Sequence, residues 1–271
     1  MHFATLSGPA GPTAAVLAQD TWHALPWADL SELLGATTFA EAAALAGGPV
    51  PDARPLLPLP RPGKVICCGL NYGDHIRETG RALPEYPTLF PKYADTLTGP
   101  DADLVLPRGT QLDWEAELAV VVGAVLRSVD RDTAAAGIAG YTVTNDISVR
   151  DWQYRTLEWF QGKAWDASTP AGPVVVTPEE IDPVAGVDVV CRVNGEEVQR
   201  GDTGSLVFDA AGLLAYISTF TVLRPGDLVL TGTPGGVGTA REPQWFLADG
   251  DVVETSVTGI GTLRNTVRLT G

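Results

Sequence analysis

The residues best suited to chemistry lie in one segment, Leu112-Asp113-Trp114-Glu115-Ala116-Glu117-Leu118, which runs into Ala119-Val120-Val121-Val122. The apolar run marks a buried strand. Side chains alternate faces along a strand, so residues two apart share a face. Asp113, Glu115 and Glu117 are therefore expected side by side. Carboxylates that close repel one another, and holding them at the mouth of a hydrophobic strand is costly unless a cation compensates. Hard oxygen ligands suit Mg2+ or Mn2+, and Ca2+ is also compatible. The alternative is a solvated edge strand with alternating acids. A second segment bears on that choice. Asn145-Asp146 closes the apolar stretch Gly140-Tyr141-Thr142-Val143-Thr144. A carboxylate at the end of a buried strand is well positioned as a third ligand. Three protein carboxylates leave about half of an octahedral shell for water or substrate, the open arrangement that catalysis needs.

Basic groups that could complement an anion are Lys163 in Gly162-Lys163, Lys92 in Phe90-Pro91-Lys92-Tyr93, and Arg150 next to Asp151. Each also reads as an ordinary surface or ion-paired residue. His75 and Glu78 are spaced to share the face of a helical turn. A carboxylate beside an imidazole orients it and raises its pKa, which suits a general base but also describes a plain surface pair. Of the 3 histidines, His2 and His23 lie in a region with little chemical signal, so a catalytic histidine would be His75. The loop Thr231-Gly232-Thr233-Pro234-Gly235-Gly236-Val237-Gly238 lacks the Gly-Lys-Ser/Thr end of a phosphate loop and the dinucleotide spacing. Its amides and threonine hydroxyls could hold a small carboxylate. No G-x-S-x-G nucleophile elbow is present.

These groups need a scaffold, and 271 residues provide one main domain with an appendage. We divide the chain into a small N-terminal region with a Pro-rich linker at 1–60 and a main domain at 61–271. The N-terminal region carries expected helices around Ala28–Leu34 and Phe39–Ala46, and the Gly/Pro-rich stretch 47–63 follows. Short β segments are expected at Val65–Leu70, Leu118–Val122, Gly140–Asn145, Pro173–Thr177, Val187–Val193, Asp227–Thr231, Asp251–Val257 and Gly261–Val267. Asn194-Gly195 signals a hairpin turn. A helix is expected over Ser205–Ser218. Many strands and few helices make a β-rich α+β fold.

The formal net charge of −15 argues against nucleic acid and membrane surfaces as partners. It also means that an anionic substrate would need a local reversal of the field. The 3 cysteines, two of them adjacent, form neither a disulfide framework nor a zinc pattern and read as buried small hydrophobes. No apolar run approaches the roughly 20 residues of a membrane span, and no signal peptide is seen, so the cytoplasm is the expected location.

Taken in order, several segments resemble the fumarylacetoacetate hydrolase family: Gly69-Leu70-Asn71-Tyr72-Gly73-Asp74-His75, Pro87-Thr88-Leu89-Phe90-Pro91-Lys92, Asp113-Trp114-Glu115-Ala116-Glu117-Leu118, Asn145-Asp146-Ile147-Ser148-Val149-Arg150-Asp151-Trp152-Gln153, Gly162-Lys163 and Thr231-Gly232-Thr233-Pro234. The resemblance spans residues 64 to about 267. It implies a mixed β-sandwich roll with a small N-terminal α/β region, and a homodimer. Glu115, Glu117 and Asp146 match the family's metal ligands, and Lys163 matches its active-site lysine. Arg150, Gln153 and Thr233 match substrate-binding positions, to which Lys92 is added. His75 and Glu78 match a water-activating pair on a lid. Asp113 is not a ligand in the family pattern. Gly235-Gly236 and Trp165-Asp166 depart from common patterns, which bears on substrate identity. The implied activity is metal-dependent hydrolysis of a C–C bond in a small anionic β-diketo acid of the acylpyruvate or fumarylpyruvate type. Decarboxylation or keto–enol isomerisation of a related 2-oxo acid is the alternative, and a non-catalytic metal-stabilised binding protein is a further one.

Overall fold

A computed structural model describes residues 1–8, 11–73, 76 and 82–271. The strands, in chain order, are β1 His2–Gly8, β2 Gly11–Ala18, β3 Thr21–Ala24, β4 Arg54–Pro55, β5 Val65–Gly69, β6 Thr88–Lys92, β7 Leu97–Thr98, β8 Leu104–Pro107 and β9 Leu112–Asp113. They continue as β10 Ala116–Val122, β11 Ile138–Asn145, β12 Ser148–Val149, β13 Thr169–Val176, β14 Asp188–Val193, β15 Glu196–Asp202, β16 Leu228–Leu230, β17 Val252–Val257 and β18 Gly261–Thr270. The expected β-rich architecture is present, and its sheets are mixed.

The large sheet runs β3-β2-β1-β13-β11-β10-β16-β5-β6, with β4 and β7 added to its side. A second sheet runs β15-β14-β17-β18-β8. Strand β10 is central, and all 7 of its residues are buried. Its side chains alternate between two cores, as the period of a strand requires. Leu118, Val120 and Val122 join Val189, Cys191, Val253, Leu263 and the helix residues Leu213 and Ile217. Ala119 and Val121 join Leu30, Leu33, Phe39, Cys67, Leu228 and Leu230 on the other face. Glu117 shares that second face by period, at the end where the chain stops being apolar.

The N-terminal strand β1 pairs antiparallel with β13, so the first residues are part of the large sheet. The stretch expected as a linker lies along it. Arg54 and Pro55 pair with β1, Leu59 is buried, and the Thr5 hydroxyl donates to the Pro58 carbonyl. All three cysteines are free and buried. Asn194 and Gly195 take φ of 53° and 83° between β14 and β15, the left-handed pair that a tight hairpin turn demands.

The helix expected over Ser205–Ser218 is instead Ala210–Phe220. Asp209 sets its start by accepting from the Gly212 N–H, while Thr203–Ser205 form a separate 3-10 turn. Asp113, Glu115 and Glu117 do not share one strand face. The strand breaks between β9 and β10, because the Glu115 N–H is taken by the Asn145 side chain at 2.9 Å. Asp113 turns away to accept from the N–H groups of Gly238 at 2.6 Å and Thr239 at 2.9 Å.

Candidate active site

The carboxylates come from two neighbouring strands. Register pairs Ala116 of β10 with Asn145 of β11, which sets Glu115 beside Asp146. The Asp146 N–H donates to the Glu115 carbonyl at 2.8 Å. Glu117, inside β10, accepts from the Gly232 N–H at 2.8 Å. Glu115, Glu117 and Asp146 each offer an oxygen within 4.8 Å of the others. An octahedral ion with bonds of about 2.1 Å sets its ligand oxygens about 3–4 Å apart, so the group fits a small divalent cation after minor adjustment.

Basic groups surround most of this charge. Lys163 Nζ lies 2.7 Å from Glu115 Oε2 and 2.8 Å from Asp146 Oδ2. Lys92 pairs with the other Asp146 oxygen. Arg150 Nη1 lies 2.7 Å from Glu115 Oε1 and Nε lies 2.7 Å from Asp113 Oδ2. Glu117 makes no ion pair among the described residues; its recorded donor is the Gly232 amide. Among the described residues, buried Asp113, Glu115, Glu117 and Asp146 thus face buried Lys92, Arg150 and Lys163, one positive charge short. Burial and then the neighbouring Asp146 and Glu115 charges push the Glu117 carboxyl well above its usual range. Burial also acts on Asp146, but Lys163 and Lys92 outweigh it and hold that carboxyl below the usual range. A divalent cation would supply positive charge at Glu117, and the three carboxylates fit one.

Beside the cluster lies a cavity of about 440 Å³. Glu115, Arg150, Gln153, Lys163 and Thr233 line it, together with Gly69, Leu70, Phe90, Trp159, Val237 and Ala240. Arg150 Nη1 donates to Gln153 Oε1 at 2.7 Å, which fixes both side chains at the cavity wall. Arg150 Nη2 is buried and has no partner among the described residues, a donor left for a bound oxygen. The Thr233 hydroxyl already donates to the Ala116 carbonyl at 2.9 Å, so it braces the loop against β10. Lys92 lies against Asp146 and is not among the residues lining the cavity. His75 and Glu78 lie outside the described residues.

Several positioning residues escape a reading of the sequence. Asn71 donates to the Thr231 and Phe208 carbonyls, each at 2.8 Å, and ties the end of β5 to the glycine-rich loop. Gln199 accepts from Ala116 N–H and donates to Thr233 Oγ1, both at 2.9 Å. Gln199 has polarity next to an apolar strand as its only local signal, whereas Asn71 stands inside a family-like segment that assigns it no role.

A model of the fumarylacetoacetate hydrolase C-terminal domain matches residues 64–268. The chain belongs to the fumarylacetoacetate hydrolase family. Human mitochondrial oxaloacetate tautomerase FAHD2A is 43% identical over 215 residues, covering 78% of this chain and 68% of that protein. The 2,4-didehydro-3-deoxy-L-rhamnonate hydrolase of Sphingomonas is 39% identical over 241 residues, covering 87% and 84%. The crystal structure of 5-carboxymethyl-2-hydroxymuconate delta-isomerase from Mycobacterium smegmatis superposes with a TM-score of 0.83 at 34% identity, covering all of both chains. This is a family of enzymes whose members include hydrolases, tautomerases and isomerases. No described helix is long and apolar enough to cross a membrane.

Proposed function

We propose that this family member is a divalent-metal-dependent enzyme that cleaves a C–C bond in a β-diketo acid of the acylpyruvate type by hydrolysis. The observation that supports this best is the buried Glu115–Glu117–Asp146 group, in which Glu117 has no basic partner among the described residues, with Glu115 at the wall of a cavity. Mg2+ or Mn2+ held there would supply Lewis-acid stabilisation of a developing enolate. The chain's own residues do the rest. Arg150 offers its unpartnered Nη2 to a substrate oxygen, and Gln153 holds the guanidinium in place. Lys163 adds positive charge at the cavity wall while bridging Glu115 and Asp146. In the hydrolysis, water adds at the distal carbonyl, the bond to the adjacent methylene carbon breaks, and the electron pair stays on that carbon. A proton then completes the 2-oxo acid product, and the other fragment leaves as a carboxylic acid. The removal of the water proton by His75, oriented by Glu78, rests on the family resemblance.

A second reading is favoured by the similarity to the oxaloacetate tautomerase. Here one proton leaves the carbon next to the keto group and another is placed on its oxygen, and no water is consumed. Mass spectrometry of products from a panel of β-diketo acids and oxaloacetate with Mg2+ or Mn2+ separates the readings. Two carboxylic fragments support hydrolysis, CO2 indicates decarboxylation, and unchanged mass with altered enol absorbance indicates tautomerisation. No turnover, with metal raising only the melting temperature, would favour a metal-stabilised binding protein. The expected homodimer is tested by light scattering during size-exclusion chromatography.

A further inference from the structure

The cavity wall changes character along its length. Lys163 Nζ stands 5.3 Å from the centre of the Phe90 ring. Phe90 meets Trp159 edge to face, with ring centres 5.7 Å apart and planes at 71°. Trp159 in turn lies on Gly69: a Cβ added there would come within 2.4 Å of Trp159 Cζ3. The wall therefore runs without interruption from the charged cluster across two aromatic rings to the end of β5, where Leu70 continues it. Val237 and Ala240 from the glycine-rich loop segment also line the cavity.

The charged residues among the described lining are Glu115, Arg150 and Lys163. Both cations are engaged by carboxylates, Arg150 by Asp113 and Glu115, and Lys163 by Glu115 and Asp146. A substrate with one carboxylate would find its counter-charge at the metal and Arg150. A second carboxylate at the far end would rest against Phe90 and Trp159. The rest of the described lining offers polar groups at Gln153, Tyr154, Thr233 and Thr239 but no further cation, and burying an ion without a cationic partner is unfavourable. The net charge of −15 adds repulsion at longer range.

Resting on the reading of the site as a metal-dependent 2-oxo-acid site, we propose that the aromatic end is a neutral tail subsite. The substrate then carries a single carboxylate and an uncharged hydrocarbon tail, and the Trp159–Gly69 contact sets the size limit of that tail. Trp159 is a specificity residue with two expected opposite responses. Trp159→Ala opens the subsite. Gly69→Ala drives the indole off its seat and narrows it, because the added methyl cannot coexist with the ring where it stands.

The test uses the full chain with Mn2+. Calorimetry compares 2-oxopentanoate with 2-oxoglutarate, in which a carboxylate replaces the terminal methyl. The expected result is at least tenfold tighter binding of 2-oxopentanoate. Equal or tighter binding of 2-oxoglutarate overturns the proposal and leaves the metal-dependent 2-oxo-acid reading intact. If neither acid binds and no 2,4-dioxo acid is turned over, that reading fails and the inference falls with it. Kinetics on 2,4-dioxo acids with methyl and phenyl tails then reads the size limit. Trp159→Ala should raise the phenyl-to-methyl ratio of kcat/KM about tenfold, and Gly69→Ala should lower it. Trp159→Phe, which keeps an aromatic wall, should fall between wild type and Trp159→Ala. Ratios that move together, or not at all, in folded variants defeat the role of Trp159.

Discussion

At the scale of single residues, the informative carboxylate is Glu117. It is buried and raised in pKa, and it lacks a basic partner among the described residues. Glu117→Gln removes the charge and keeps an oxygen for the Gly232 N–H. The variant should melt at a higher temperature than wild type without metal, and calorimetry should show that divalent-cation binding is lost. Asp146 has the opposite sign. Asp146→Asn leaves Lys92 without its anion and Lys163 with Glu115 alone, which costs about 3–5 kcal/mol for a buried pair, measurable by denaturant titration. The pH dependence follows from both. The raised Glu117 carboxyl binds its proton more tightly in the folded state, so metal-free stability falls as pH rises above the ordinary glutamate range. The depressed Asp146 carboxyl contributes stability that is present above the ordinary aspartate range and is lost as pH falls through its lower folded value. Melting curves across pH should show that Mn2+ removes the loss on the high-pH side, because the cation needs the carboxylate ionised.

At the scale of elements, the site depends on how three segments are clamped. The glycine-rich loop is anchored by Gly232, whose φ of 98° favours glycine and where a Cβ would meet the Cys68 carbonyl at 2.8 Å. Gly232→Ala should cost about 1–3 kcal/mol from backbone strain. It should also weaken metal binding, since the Gly232 amide holds Glu117. The helix Ala210–Phe220 supports the core beneath β10 without lining the cavity. Asp209→Ala removes its cap and should cost about 1 kcal/mol, with turnover per folded molecule retained. A fall in turnover to match would show that the helix acts on the site directly.

At the scale of the whole molecule, the family segment 64–268 does not contain its full sheet. Strand β1 lies between β2 and β13, and Phe3 and Leu6 are buried in different cores. Removing residues 1–60 would leave β13 with an unpaired edge and uncover both cores, so the shortened chain should be insoluble or aggregate although every candidate site residue remains. Recovery of a soluble, metal-binding fragment would refute this. The net charge of −15 acts over the same scale. Screening is largely complete beyond about 10 Å at 0.1 M salt. The kcat/KM for an anionic substrate should therefore rise with moderate salt, whereas attraction by a dominant positive patch would make it fall.

Much of this was open to inspection in the chain itself. The apolar alternation after Glu117, the Asn194-Gly195 turn and the carboxylate ending the Gly140–Thr144 run are local patterns, and local sterics and burial determine them wherever the chain goes. They sufficed to expect a β-rich fold and to raise Asp113, Glu115, Glu117 and Asp146 as a carboxylate group; the resemblance to the family then separated the three ligands from Asp113. Other features depended on contacts between distant segments. Asp113 was diverted by the Gly238 and Thr239 amides, and Lys92 was drawn to Asp146 and away from the cavity. The wall built from Gly69, Phe90 and Trp159 exists only because β5 and β6 pair and a later segment folds over them. Periodicity tells which face a side chain takes, but only strand register and packing decide what stands opposite it.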